Sequence, residues 1–365
     1  MKKAFYNGRI FTGHEVLHRG AVLTEGNTIT AIVPESDIPA GFEKKDLQGY
    51  NLSPSFIDLQ IYGGNGQIFA YHLSTESIAR TYDYCRSGGC THFMITIATN
   101  TMEVMMKGIE TVKEYWQQGG QGLLGLHLEG PYINPEKRGA HIKEYIKTPA
   151  LDDIEKLLAA GKGVIKIMTL APEQCDPRLV KLLLDNDILV SAGHSNASYK
   201  QATGGFAMGI PLATHLFNAM SPLQGREPGM VGAVYDQEKV MCSIVADGVH
   251  VDYASVRISK KIMGNRLFLI TDAVTELKEG PYQYLFKGDR YVLPDGTLSG
   301  SALTMMAAVK NCVVNAGIDL AEALRMATAY PARAVKGEDR MGYIKAGYPA
   351  SFAVFDDELS LKELL

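Results

Sequence analysis

The runs GLLGLHLEGP (122–131), DILVSAGHS (187–195), PLATHLFNAM (211–220) and RLFLITDA (266–273) decide how this chain is read. Each is rich in branched or aromatic apolar residues, is bounded by Gly, Pro or Asn, and carries an ionisable or metal-capable residue at its end: Glu129, His194, His215 and Asp272. Near-continuous apolar runs mark strands covered on both faces. Ionisable residues at the C-terminal ends of several such strands are where parallel α/β barrels build their active sites.

Working outward, SFIDLQIYG (55–63), THFMITIAT (91–99), VIKIMTLAP (164–172) and KVMCSIVADGVH (239–250) complete a set of eight strand candidates. Helical segments separate most of them, among them 74–89, 101–117, 148–161 and 176–187. Thr148 and Asp176 stand at N-cap positions and Gly161 just past a helix end. Eight strands with interposed helices predict an α/β fold, a (β/α)₈ TIM barrel. Residues 221–238 read as an irregular Gly/Pro-rich excursion. Residues 279–300 read as a β-hairpin insertion turning at Asp295–Gly296, with helices near 301–316 and 319–329 after it.

The head differs. AFYNGRIFTG (4–13), AVLTEGNTITAIV (21–33) and DLQGYNLSP (46–54) are short β-type runs without helical period, and 341–356 returns to β character. The expectation is a small β-sandwich domain formed by both termini, 1–53 plus 337–365, around a barrel of 54–336.

Composition sets limits. The 365 residues are 46 % hydrophobic and 21 % charged, a globular balance. A net charge of −4 gives no reason to expect nucleic acid, and an anionic substrate would have to be attracted locally. The five cysteines are odd in number and fall in no zinc-ribbon or redox spacing, the pattern of reduced cytosolic thiols. No signal-peptide core and no stretch near the roughly 20 apolar residues of a membrane span is present. A cytoplasmic location and no membrane partner are expected.

One carboxylate (Glu129) and two imidazoles (His194, His215) suit a divalent metal with an open coordination position, and Asp272 suits proton transfer. Each has an ordinary reading too. Glu129 alone can be an ion-pair partner, and a lone histidine is more often packed than ligating. Two histidines at strand ends in order, with an acid two strands earlier, favour metal. His127 shares a strand face with Glu129 and reads as a packed or supporting histidine. His141, in the loop after Glu129, can reach over a metal or be an exposed loop residue. His250 closes another strand. Asn218–Ala219 can offer backbone N–H groups to an anion, while Arg226 stands in the irregular excursion, where a solvated arginine is equally ordinary. GGNG (63–66) lacks the strand–GxGxxG–helix context of a dinucleotide site. The methionine-rich stretches read as packing.

HLEGPY (127–132), SAGHSNAS (191–198), ATHLFNAM (213–220), VADGVHV (245–251), ITDA (270–273), LSGSALTM (298–305) and RMATAYPAR (325–333) resemble the N-acetylglucosamine-6-phosphate deacetylase family of the amidohydrolase superfamily, in order over nearly the whole chain. The resemblance implies a homodimer that hydrolyses N-acetylglucosamine 6-phosphate to glucosamine 6-phosphate and acetate. It implies one divalent metal per subunit on Glu129, His194 and His215, with zinc the default and ferrous iron fitting the same ligands. It assigns Asp272 as proton shuttle and His141 to the oxyanion. Substrate contacts implied are Ala140, His141, Asn218, Ala219, Asp247, Gly248, Val249, His250, Leu298, Ser299, Gly300 and Arg226, the last from either subunit. One departure matters. Where many amidohydrolases carry His-x-His on the first strand, this chain has Gln60 and Tyr62, both poor metal ligands, which predicts a single metal. The rival readings are another amidohydrolase activity on the same barrel and a non-catalytic scaffold.

Overall fold

The computed structural model describes residues 1–365. Eight parallel strands form one sheet in sequential order: β1 (Phe56–Ile61), β2 (Cys90–Ala98), β3 (Leu123–Glu129), β4 (Ile165–Leu170), β5 (Leu189–Ala192), β6 (Leu212–Ala213), β7 (Met241–Ile244) and β8 (Leu267–Leu269). The ring closes at its upper rim, where Asp272 N donates to Gln60 O and Tyr62 N to Ala273 O, each at 3.0 Å. Helices α1 (Thr75–Ser87), α2 (Met102–Gln117), α3 (Leu151–Gly161), α4 (Pro177–Asp185), α5 (Tyr199–Ala207), α6 (Gly229–Asp236), α7 (Tyr253–Met263) and α8 (Met305–Val314) follow the strands in turn. This is a (β/α)₈ barrel, and its strands are buried on both faces because helices cover the outside and side chains fill the inside.

Local chemistry sets the helix starts. Ser74, Thr101 and Asp176 accept from Ser77 N, Val104 N and Arg178 N respectively, each cap worth roughly 1 kcal/mol. Three local expectations need correction. Helix α3 begins after Ala150 without a side-chain cap, so Thr148 stands outside it, and Gly161 is its last residue. The excursion 221–238 is irregular only to Pro228. Beyond it α6 forms, because GMVGAV is almost wholly buried and Gly229 and Gly232 allow close approach to Ser221–Pro222 and Pro228. The insertion 279–300 is a three-stranded meander (Leu285–Phe286, Arg290–Val292, Leu298–Ser301) and not a single hairpin. After α8 the chain makes two more helices, Leu320–Ala327 and Ala329–Ala334.

A four-stranded sheet (Lys2–Tyr6, Gly20–Glu25, Thr28–Pro34, Glu43–Asp46) faces a five-stranded one. In the second, Arg9–Phe11, Val16–Leu17 and Asn51–Pro54 from the head join Phe352–Phe355 and Leu361–Leu364 from the tail. Phe5, Ile10, Val22, Ile29, Leu52 and Phe352 fill the space between them. Head and tail therefore make one small β-sandwich beside the barrel.

Candidate active site

The mouth of the barrel is built by strand ends that bend sharply. His194, His215 and Asp272 have φ of +47°, +37° and +54°, a region that costs a non-glycine residue energy and that clusters at functional sites. Each turn swings the polar side chain off the strand and into the mouth. There Glu129, His141, His194, His215, His250 and Asp272 share a cleft of roughly 280 Å³ with Ala140, Asn218, Ala219, Leu298 and Ser299.

Glu129 is the hub, with its side chain 1 % exposed. Its Oε1 lies 3.0 Å from His215 Nε2 and 3.3 Å from His194 Nε2, and those two nitrogens are 3.1 Å apart. Its Oε2 accepts from Tyr62 Oη (2.5 Å) and His141 Nε2 (3.0 Å). Burial opposes the charge on Glu129, but the neighbouring histidines outweigh it and hold the carboxyl well below the usual range.

The proton positions follow from the hydrogen-bond network. His194 Nδ1 donates to Lys137 O (2.9 Å), which leaves a lone pair on Nε2. Burial, reinforced by the adjacent His141, depresses the His194 imidazole to about 4, so it is neutral at pH 7. His141 Nδ1 accepts from Thr99 N (3.3 Å), so its proton sits on Nε2 and is donated to Glu129. The ligand atoms of Glu129, His141 and His194 lie within 4.8 Å of one another, but the tautomer of His141 makes it a donor. His215 has no such commitment, since its Nδ1 is buried without a partner. Glu129 Oε1, His194 Nε2 and His215 Nε2 thus converge on one point, and with Nδ1 of His215 uncommitted both imidazoles can present Nε2 to a shared cation. The donor set fits a divalent cation with nitrogen and oxygen ligands.

Asp272 sits across the cleft. Its Oδ1 accepts from Gln60 Nε2 (2.8 Å), and Oδ2 faces His250 Nε2 at 3.8 Å. Burial, with a smaller contribution from the Glu129 charge, raises its carboxyl above the ordinary value against the opposing pull of His215. Gln60 Nε2 also reaches Glu129 Oε1 (3.0 Å) and Tyr62 Oη (2.8 Å). Of the two residues that stand where others carry histidines, Gln60 therefore donates to both carboxylates and Tyr62 to Glu129. Sequence reading excluded them as ligands and gave them no role; their alternate spacing on β1 was the available signal. His127 is packed, with ring nitrogens 3.2 Å from Leu59 O and 2.8 Å from Thr169 Oγ1.

Other expected residues are placed less directly. Asp247 Oδ2 accepts from His250 Nδ1 (2.6 Å) and Oδ1 from the N–H groups of Val249 and His250, so it orients His250. Asp247, Gly248, Val249 and Gly300 do not line the cleft. Asn218 N already donates to His215 O (2.9 Å), which leaves Ala219 N–H as the free backbone donor of that pair. Arg226 is exposed on its loop and lies outside the cleft of its own chain.

A parallel barrel whose mouth gathers two convergent imidazoles, a bridging carboxylate and a second carboxylate across the cleft defines a metal-dependent hydrolase. Comparison with known proteins narrows the class. A model of the amidohydrolase family matches residues 51–364, and one of the NagA composite domain matches 4–52. N-acetylglucosamine-6-phosphate deacetylase from Haemophilus influenzae is 39 % identical over 97 % of this chain and 95 % of its own. An N-acetylgalactosamine-6-phosphate deacetylase from a Shewanella species is 33 % identical over 86 % and 81 %. The crystal structure of N-acetylglucosamine-6-phosphate deacetylase from Pasteurella multocida superposes with a TM-score of 0.96 at 35 % identity, covering 100 % of this chain and 98 % of that one. The chain belongs to the amidohydrolase family, in its branch of amino-sugar-6-phosphate deacetylases. That family is metal-dependent, and no helix here is long and apolar enough to cross a membrane.

Proposed function

We propose that this protein deacetylates N-acetylglucosamine 6-phosphate, giving glucosamine 6-phosphate and acetate, with one divalent metal per subunit, zinc by default. The observation that carries the reading is the convergence of Glu129 Oε1, His194 Nε2 and His215 Nε2 within 3.3 Å of one another, with the free carboxyl of Asp272 across the cleft. Glu129, His194 and His215 would hold the ion, which when bound polarises the acetyl carbonyl and lowers the pKa of water.

The chain's own groups do the rest. Asp272 takes the proton of the attacking water at Oδ2, while Gln60 holds Oδ1. His141, fixed at Nδ1 by Thr99, offers its Nε2–H to the carbonyl oxygen as charge develops there. Asp272 then delivers its proton to the sugar nitrogen, a poor leaving group until protonated. Ala140, Leu298 and Ser299 shape the sugar pocket. Asn218, the Ala219 N–H and His250, oriented by Asp247, receive the 6-phosphate. In this reading Gly248, Val249 and Gly300 set the backbone of the same loops. Arg226 reaches the phosphate from the partner of a homodimer, which is consistent with its exposure on its own subunit. The same reading divides the chain into 1–53 plus 337–365 and the barrel 54–336, in the cytoplasm.

An acetate-release assay on N-acetylglucosamine 6-phosphate, run beside the galactosamine epimer and with metal analysis of the same sample, tests it. Release from neither sugar would overturn the reading, and strong preference for the epimer would reassign the substrate.

A further inference from the structure

A second cavity, of roughly 290 Å³, adjoins the active-site cleft. Ile68, Val104, Leu277, Tyr282 and Tyr284 line it, and no charged side chain does. Tyr62 lines both cavities, with its ring forming the wall between them and its Oη tied to Glu129. Tyr282, on the second cavity only, is held in place by donating to Thr99 O (2.7 Å) and accepting from Ile142 N (3.2 Å). With its Oη held by both Glu129 and Gln60, the Tyr62 ring is fixed, so the apolar space behind it is not reached by a small acyl group.

The order of strands round the barrel says which end of the substrate meets this wall. The proposed phosphate contacts follow β6 and β7, while Tyr62 follows β1 and Ala98, also lining the second cavity, ends β2. In a closed ring of eight, β2 stands opposite β6. A substrate with its phosphate at Asn218–Ala219 and His250 and its amide carbonyl at the Glu129 cluster directs its acyl methyl toward β1 and β2.

We propose that Tyr62 determines acyl selectivity by closing the site against an apolar cavity that would otherwise take the tail of a longer N-acyl group. This rests on the deacetylase reading above. An acetyl group ends at the phenol ring, whereas a butyryl group must push its two further methylenes into the space the ring occupies. Each methylene in such a pocket is worth roughly tenfold or more in discrimination.

The test compares kcat/KM for N-acetyl- and N-butyryl-glucosamine 6-phosphate in the wild type and in Tyr62→Phe, Tyr62→Leu and Tyr62→Ala, each checked for metal content and folding. Calorimetric binding of both ligands to metal-stripped protein gives a readout that needs no turnover. Wild type should favour acetyl. Tyr62→Phe should leave the butyryl-to-acetyl ratio unchanged, because it keeps the ring and removes only the Glu129 hydrogen bond. Tyr62→Leu and Tyr62→Ala should raise the ratio by about tenfold or more, and adding Val104→Trp to Tyr62→Ala should cancel the gain by filling the cavity. The proposal is overturned if wild type handles butyryl as well as acetyl, or if both substrates fall in parallel in the Leu or Ala variant. Should Tyr62→Ala fail to fold, Tyr62→Leu and its binding ratio decide. Absence of acetate release by wild type would instead sink the deacetylase reading itself.

Discussion

The two sides of the barrel mouth use opposite chemistry. On β3, β5 and β6 the strand ends carry Glu129, His194 and His215, whose Oε1 and Nε2 atoms converge. At the end of β1 the corresponding positions carry Gln60 and Tyr62, which donate hydrogen bonds into the same cluster. A side made of one carboxylate and two imidazoles can hold a cation, and a side made of neutral donors repels one. The contrast teaches why this barrel should hold a single metal: the donors of β1 already serve the two carboxylates that a second ion would need.

Removing an acceptor breaks the comparison most severely. Replacing His194 or His215 with Ala should abolish binding of the one metal per chain and with it several kcal/mol of transition-state stabilisation. Elemental analysis beside the acetate assay measures both, and two tightly held ions in the wild type would refute the role given to Gln60 and Tyr62. Asp272→Asn comes next. It keeps the acceptor geometry but not the proton shuttle, so metal and substrate binding should persist while turnover falls by roughly 10⁴-fold, at the top of the range for general acid–base catalysis. Near-normal turnover would sink the assigned mechanism.

Arg226 tests the contrast from outside the cleft of its own chain. Arg226→Ala should cost roughly 2–5 kcal/mol in kcat/KM if it pairs with the phosphate, by analogy with one partner of a buried charge pair. It should cost far less with unphosphorylated N-acetylglucosamine. Mixing Arg226→Ala with Asp272→Asn protein should restore activity through heterodimers with one complete site. No rescue after proven subunit exchange would remove the arginine from the partner's site.

The smallest effect concerns the closure beneath β1. Asp58 is buried and accepts from Thr271 Oγ1 (2.5 Å), Thr271 N (3.2 Å) and Gln60 N (3.3 Å), and burial pushes its carboxyl up from 3.8 to about 7. A folded-state value above the unfolded one means that the native state binds the extra proton. The contribution of Asp58 to stability is therefore present below about pH 4 and is lost as pH rises to about 7. Relative to Asp58→Asn, wild type should lose up to a few kcal/mol across that window and then level off. Denaturant titrations at several pH values read this difference, and a flat difference would show that the carboxylate is charged and compensated throughout.

Much of this was legible because periodicity and turn chemistry are local. Seven of the eight strands stand within their expected ranges and β2 begins one residue earlier, at Cys90, since continuous apolar runs between helices have one economical arrangement. Glu129, His194, His215 and Asp272 could be singled out because each ended such a run. Helix α6 was hidden, since its glycines read as loop until Ser221 and Pro228 pack against them. The occupied N–H of Asn218 was equally invisible, because the turn that consumes it has φ values of +77° at Phe217 and +50° at Ala219, which no local propensity predicts.

Strand number, strand order and the identity of the ionisable residues were determined by the sequence alone, because side-chain chemistry and hydrophobic period act over neighbouring residues. The tertiary structure alone decided which nitrogen of His141 and of His194 carries the proton, and that Gln60 joins Glu129 to Asp272 across 69 and 212 residues of separation. It alone placed Tyr62 between two cavities. Tautomers, bridges and shared walls depend on which distant atoms the closed barrel brings within about 3 Å, and no stretch of chain carries that information by itself.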